Sequence, residues 1–171
     1  MPDSIIFAEH LRLFKGLIIL IRLGLFASSF MYIGAGIIIH NLNKEVLLVC
    51  DARSGRWGFP KGHPEHCDKK LAINTAVREC FEETGMRVVN DYIIESMNPK
   101  RIGKRLYFNA LLLNEAFLTH AHNKEEIQDV RWWRLEEMVA NEAILNSDLR
   151  CWLAKRKRGR NTISSAAAAT T

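Results

Sequence analysis

The sequence predicts an α/β domain, a mixed β-sheet layered with helices. Three observations carry this expectation. Short apolar runs bounded by turn residues recur along the chain, as in Met31–His40 and Glu45–Cys50. Between them lies a stretch of clear helical periodicity that ends at Gly85. At 171 residues and 48% apolar content, the chain is long enough to bury a core without covalent staples.

The N-terminal arm comes first. Leu17–Ile39 has a single charge, Arg22, and is long enough to span a bilayer. Two arguments count against a span. Arg22 inside the apolar part costs about 2.5–3.5 kcal/mol on insertion, and Met31–Ile39 is claimed by a strand. What remains, residues 5–26, reads as a basic amphipathic helix carrying Arg12, Lys15 and Arg22. It packs on the domain or, as the second reading, makes weak contact with a membrane surface. Asp3 and Glu9 spoil the positive start of a signal peptide.

Met31–His40, rich in Ile, reads as a buried strand; "NLNK" is a turn, and Glu45–Cys50 is the second strand of a hairpin. The Gly/Pro-punctuated stretch from Asp51 to His66 reads as loop. A helix follows, with Asp68 as its N-cap, an apolar stripe of Leu71, Ala72, Ala76, Val77 and Cys80, and Gly85 as its stop. Strands are expected near Arg87–Ser96, Arg105–Leu113 and Gln128–Arg134, then a last helix from about Leu135 to Arg156. The tail "NTISSAAAATT" is low in complexity and is expected to be disordered. The organisation is therefore an arm at 1–28, a folded domain at 29–157 and a tail at 158–171.

Net charge is +5, much of it in Lys155–Arg160. That balance suits a polyanionic partner such as a nucleotide, RNA or an acidic membrane. The four cysteines, Cys50, Cys67, Cys80 and Cys151, form no C-x-x-C pair, so a reduced intracellular setting, cytoplasmic or nuclear, is the default. His63, His66 and Cys67 cluster but have no matched fourth ligand for zinc.

The chemistry lies in "AVRECFEETGM", Ala76–Met86. Glu79, Glu82 and Glu83 stand at i, i+3 and i+4 and so share one helical face. Like charges at this spacing repel by a few tenths of a kcal/mol, on the order of 0.3 per pair. A solvated acidic face explains them, and so does a hard dication, Mg2+ or Mn2+, which turns repulsion into coordination.

With the upstream loop "RWGFPKGHPEH" the run resembles the Nudix box, G-x5-E-x7-R-E-U-x-E-E-x-G-U, where U is a bulky apolar residue. Arg78–Met86 matches the second half at every fixed position, with Cys80 and Met86 as the U residues and Gly62 as the first glycine. The first half departs from the pattern. Arg78 lies 16 positions after Gly62 instead of 14, and no Glu stands at the family's first Glu position. Asp68 is at the right distance from Gly62, and Lys70 at the right distance from Arg78. A two-residue insertion in the loop or at the helix start, with Asp68 or Glu65 as stand-in, accounts for both.

The resemblance covers roughly Met31–Leu153 and implies the α/β/α sandwich of Nudix hydrolases. It implies Mg2+- or Mn2+-dependent hydrolysis of a diphosphate bridge in a nucleoside-diphosphate-linked substrate. Glu79 and Glu83 become the main metal ligands, with Glu82 sharing metal or water duty and the Gly62 carbonyl completing the site. Arg78 orients the loop and carboxylates. The general base comes from a late loop, Glu126 first and Glu125 next. Lys61 and Arg56 are candidate phosphate ligands and Trp57 a candidate base-stacking platform; solvated charge and core packing are the competing readings. Of the neighbours Trp132 and Trp133, at least one belongs in the core.

"WGFPKG" and the "EEI…W" segment resemble mRNA-decapping members, so capped RNA is a candidate substrate, gripped in part by "KRKRGR". Dinucleoside polyphosphates and diphosphoinositol polyphosphates are the alternatives. A Nudix-fold module that binds nucleotide or RNA without hydrolysis is the alternative of another class, and the intact glutamates favour the enzyme.

Overall fold

The computed structural model describes residues 32–115 and 119–168. The proposed N-terminal helix over residues 5–26 lies outside them, and so does the membrane contact assigned to it. Among the described residues no helix is long and apolar enough to cross a membrane.

Eight strands form one mixed sheet: β1 Ala35–His40, β2 Val46–Asp51, β3 Trp57–Gly58, β4 Lys61–Gly62, β5 Tyr92–Ile94, β6 Lys100–Ile102, β7 Arg105–Leu112 and β8 Ile127–Trp133. The central path runs β3-β2-β1-β7-β5, with β4 on β1, β6 on β7 and β8 on β2. Among the described strands only β1 and β7 pair in parallel, from Ala35↔Leu106 to His40↔Leu111. A parallel pair needs a crossover, and the helix α1, Ala72–Thr84, lies within it.

The sheet is covered on both faces, so its central strands are apolar without interruption. Ile37, Ile39, Leu47, Val49 and Phe108 pack with Ile73, Ala76 and Cys80 of α1. Ile38, Leu48 and Tyr107 point the other way, onto Met138 of α2 (Leu135–Ala140) and onto Leu149, Trp152 and Leu153 of α3 (Ser147–Ala168). This is the expected α/β/α sandwich. Trp132 packs against the first core and Trp133 against the second, as strand alternation requires.

Four expectations are corrected. The single last helix is broken: α2, a 3-10 turn at Glu142–Ile144, then α3. The Asn146 carboxamide oxygen accepts from the Leu149 N–H at the start of α3, and such side-chain capping favours a fresh helix start over continuation. The helix then continues to Ala168, so most of the segment assigned to a disordered tail is helical backbone; its alanines have high helix propensity. The loop from Asp51 to His66 contains β3 and β4, and β6 stands between the expected strands Arg87–Ser96 and Arg105–Leu113. Asp68 does not cap α1. It ends a 3-10 turn at His66–Asp68, and Leu71 occupies the N-cap position.

Candidate active site

Asp68 has a different task. Its side chain is buried, and its two oxygens accept from the Arg78 guanidinium in bidentate fashion (Nε 3.1 Å, NH2 3.1 Å). The Thr75 hydroxyl (2.8 Å) and the Glu65 N–H (2.8 Å) complete the set. Burial favours the protonated acid, but these donors together outweigh it and hold the carboxyl below its ordinary range. The hydrogen bonds from Arg78 to Asp68 raise the arginine's own pKa above its ordinary value, so it stays charged. Of the two candidate stand-ins, Asp68 grips Arg78 with both oxygens, and the Glu65 side chain adds a 3.5 Å contact to Arg78.

Lys69 and Lys70, immediately after Asp68, have φ of +53° and +60°. They form a left-handed kink between the 3-10 turn and α1, across which Arg78 reaches back to Asp68.

Arg78 binds the helix face as well: Glu79 at 2.9 Å, Glu82 at 2.8 Å and the His63 carbonyl at 2.8 Å. It therefore ties loop and helix together. The box glutamates are not equivalent. The Glu82 side chain is 46% exposed and turned to Arg78. Glu83 is only 7% exposed, and it accepts the Lys61 backbone N–H at 2.9 Å. Glu79 lies against Gly62 so closely that a Cβ there would stand 2.0 Å from its carboxyl carbon. Only glycine permits this approach. Gly85, with φ +73°, ends α1 in the left-handed conformation that favours glycine.

Burial pushes the Glu83 carboxyl up to about 8; Lys61 opposes this, while Glu79 and Glu126 add to it. Burial likewise raises Glu79, against the pull of Arg78, with Glu82 and Glu126 raising it further. Glu126 thus acts electrostatically on both. Its loop is held there by hydrogen bonds from the Ala52 N–H to the Glu126 carbonyl (2.8 Å) and from the His122 N–H to the Glu83 carbonyl (3.1 Å). The arrangement brings together Glu79, Glu83, Gly62 and Lys61, with the exposed Glu126 acting on the two carboxylates through its charge.

Two proposed substrate contacts are placed elsewhere. Trp57 is 7% exposed, packed in the second core, with its ring 5.1 Å from that of Trp133 and Arg131 over it. It is a core residue, because its strand position points it under α3. Arg56 donates to the Leu145 carbonyl at 3.2 Å and the Ala143 carbonyl at 3.4 Å, which pins the turn before α3. Among the described residues no three His, Cys, Asp or Glu side chains form a ready metal cluster, neither His63, His66 and Cys67 nor the three box glutamates.

A family model for the NUDIX domain matches residues 32–161. The chain belongs to the Nudix family. Solved structures agree in fold. A C. elegans Ap4A hydrolase binary complex superposes with a TM-score of 0.58 at 21% identity, over 75% of this chain and 98% of that one. Another structure of the C. elegans Ap4A hydrolase gives 0.52 at 25% identity, over 73% and 98%. The NUDIX domain of Shewanella oneidensis NrtR complexed with ADP ribose gives 0.51 at 16%, over 78% and 92%. As a Nudix chain with its box glutamates intact, the protein is a pyrophosphohydrolase.

Sequence reasoning missed the Asp68–Thr75–Arg78 hub and the Lys61 main-chain donor. The box spacing gave the only signal for the former; nothing in a side-chain pattern reports a backbone N–H.

Proposed function

We propose that this Nudix enzyme cleaves the diphosphate bridge of a nucleoside-diphosphate-linked substrate with the help of Mg2+ or Mn2+. One observation supports it above the others: two carboxylates one helical turn apart, Glu79 against Gly62 and buried Glu83 on the N–H of the adjacent Lys61, are both pushed toward the neutral form by burial. All-oxygen donors of this kind suit a hard dication. Glu79, Glu83 and the Gly62 carbonyl would hold it, and Glu82 serves mainly to anchor Arg78. When bound, the ion neutralises phosphoryl charge and acidifies water.

The chain's own groups supply the remainder. Glu126 accepts the proton of the attacking water. The water oxygen forms a bond to one phosphorus, the bridging P–O bond breaks, and the departing phosphate carries the bridging oxygen away. Lys61 adds positive charge beside the carboxylates. Likeness to the Ap4A hydrolase of C. elegans makes dinucleoside tetraphosphate a first substrate to try. Capped RNA stays beside it because Lys155–Arg158 are exposed on α3.

The test is Glu83→Gln in a panel of capped RNA, dinucleoside tetraphosphate, ADP-ribose, NADH and diphosphoinositol phosphates, read by mass spectrometry. The wild type cleaves at least one compound at its diphosphate bridge. The variant keeps its fold and loses on the order of 100-fold or more in rate. Equal rates overturn the site; cleavage of none of the panel overturns the activity and leaves the binding-module alternative.

A further inference from the structure

We infer that β6, the turn after it and α3 together form a cationic surface that binds the phosphate backbone of a nucleic acid, away from the box glutamates. Two acid-free runs carry it: "KRIGKR", Lys100–Arg105, and "KRKRGR", Lys155–Arg160. They hold nine of the 24 Lys and Arg residues, and without those nine the chain would be net acidic. The whole positive surplus therefore sits in two short segments far apart in sequence.

The fold joins them. Lys100 pairs with Tyr107 and Ile102 with Arg105 across the β6–β7 hairpin. Ile102 and Tyr107 pack in the second core with Trp152 and Leu153 of α3, so β6 lies beneath that helix. Lys155 Nζ then donates to the Arg101 carbonyl at 3.2 Å, which binds one run to the other. Burial lowers the His40 imidazole, and Arg156 and Lys100 lower it further, so a cation from each run acts on the same ring. Lys100, Arg101, Lys104 and Lys155–Arg158 are all exposed. Asp148 pairs with Arg105, and Glu142 pairs with Lys157. Among the described residues, Lys100, Arg101, Lys104 and Lys155 form no ion pair with a carboxylate.

Like charges massed on two adjacent elements repel, and a polyanion relieves that repulsion. The cations are strung along a strand, a turn and a helix, which suits a chain of phosphates better than a single anion. Ile102, the one large apolar residue of the two runs, is 2% exposed, so the surface has no side chain of its own to enter a bilayer. Gly62, where Glu79 lies, pairs with Ala35 of the first core, on the opposite side of the sheet. The surface holds the body of a nucleic acid and takes no part in cleavage, so the inference goes beyond the diphosphate-cleaving reading.

The test is fluorescence anisotropy of a labelled, uncapped oligouridine with the full chain, in EDTA, across a range of KCl concentrations. The wild type binds, and log K falls linearly with log[KCl]. Lys100→Gln with Lys104→Gln, and separately Lys155→Gln with Arg158→Gln, each weaken binding by about tenfold and reduce the slope by about 1.4, two phosphates at about 0.7 each. Lys100→Arg with Lys104→Arg keeps the charge and binds as the wild type does. A wild type that does not bind overturns the inference. So does a loss confined to the α3 pair, since β6 would then take no part, and so does an equal loss in the Lys→Arg pair, since charge would then not be the cause. Equal affinity for poly-glutamate, or tighter uptake by phosphatidylserine vesicles at the same salt, also overturns it and assigns the surface to an acidic protein or a membrane. The probe has no diphosphate bridge and no metal is present, so failure here leaves the hydrolase reading to its own substrate panel.

Discussion

Asp68→Asn is the sharpest probe of how the box is held together. Four donors converge on two carboxylate oxygens: the Glu65 N–H, the Thr75 hydroxyl and two nitrogens of Arg78. An amide offers a single acceptor oxygen, and its NH2 would face donors it cannot serve. The site is 2% exposed, so water does not repair the loss. Removing one member of a buried ion pair costs about 3–5 kcal/mol when the other is left alone. Arg78 is not left alone, since Glu79 and Glu82 remain within 2.9 Å. The expected cost is therefore about 2–3 kcal/mol. Urea unfolding should show a lower midpoint at constant slope. Hydrolysis should fall by about tenfold, because Arg78 no longer fixes Glu79 relative to Gly62. A double-mutant cycle with Arg78→Gln should return a coupling of about 2 kcal/mol. A midpoint equal to that of the wild type would refute the claim that this aspartate holds Arg78 in place.

Other perturbations follow from the backbone and from a half-buried histidine. Lys70 and Val89 both have positive φ, +60° and +79°, so Lys70→Gly and Val89→Gly should each stabilise by about 0.5–1 kcal/mol in denaturant titrations; destabilisation would show that the side chains themselves are needed. Burial, then the nearby Arg156 and Lys100, lowers His40 to about 4. The folded state thus favours neutral imidazole, so its stability is complete above pH 6.5 and is lost as pH falls from there to about 4. Allowing for partial solvent access, the loss is roughly 1–2 kcal/mol. His40→Gln should flatten the stability curve in that window, and an unchanged curve would refute the assignment.

Part of this protein was legible in its sequence because the deciding physics is local. The Ile-rich β1 run, the stripe on α1 and the left-handed stop at Gly85 each follow from side-chain period or backbone sterics within one segment. The run Arg78–Met86 placed Glu79 and Glu83 on one helical edge before any coordinates. Other features were decided only by tertiary contact. The break between α2 and α3 depends on Asn146 and on Arg56 holding carbonyls about 90 residues away in sequence. Trp57 goes into the core because α3 covers it, and no periodicity in a two-residue strand records that. Glu83 differs from Glu82 only because β4 supplies a main-chain N–H to one and leaves the other to Arg78 and water. Helical spacing sets the direction in which a carboxylate leaves its helix. The partner it meets there, and with it the charge it carries, depends on chain brought in from elsewhere, because desolvation and hydrogen bonding act through space and not along the sequence.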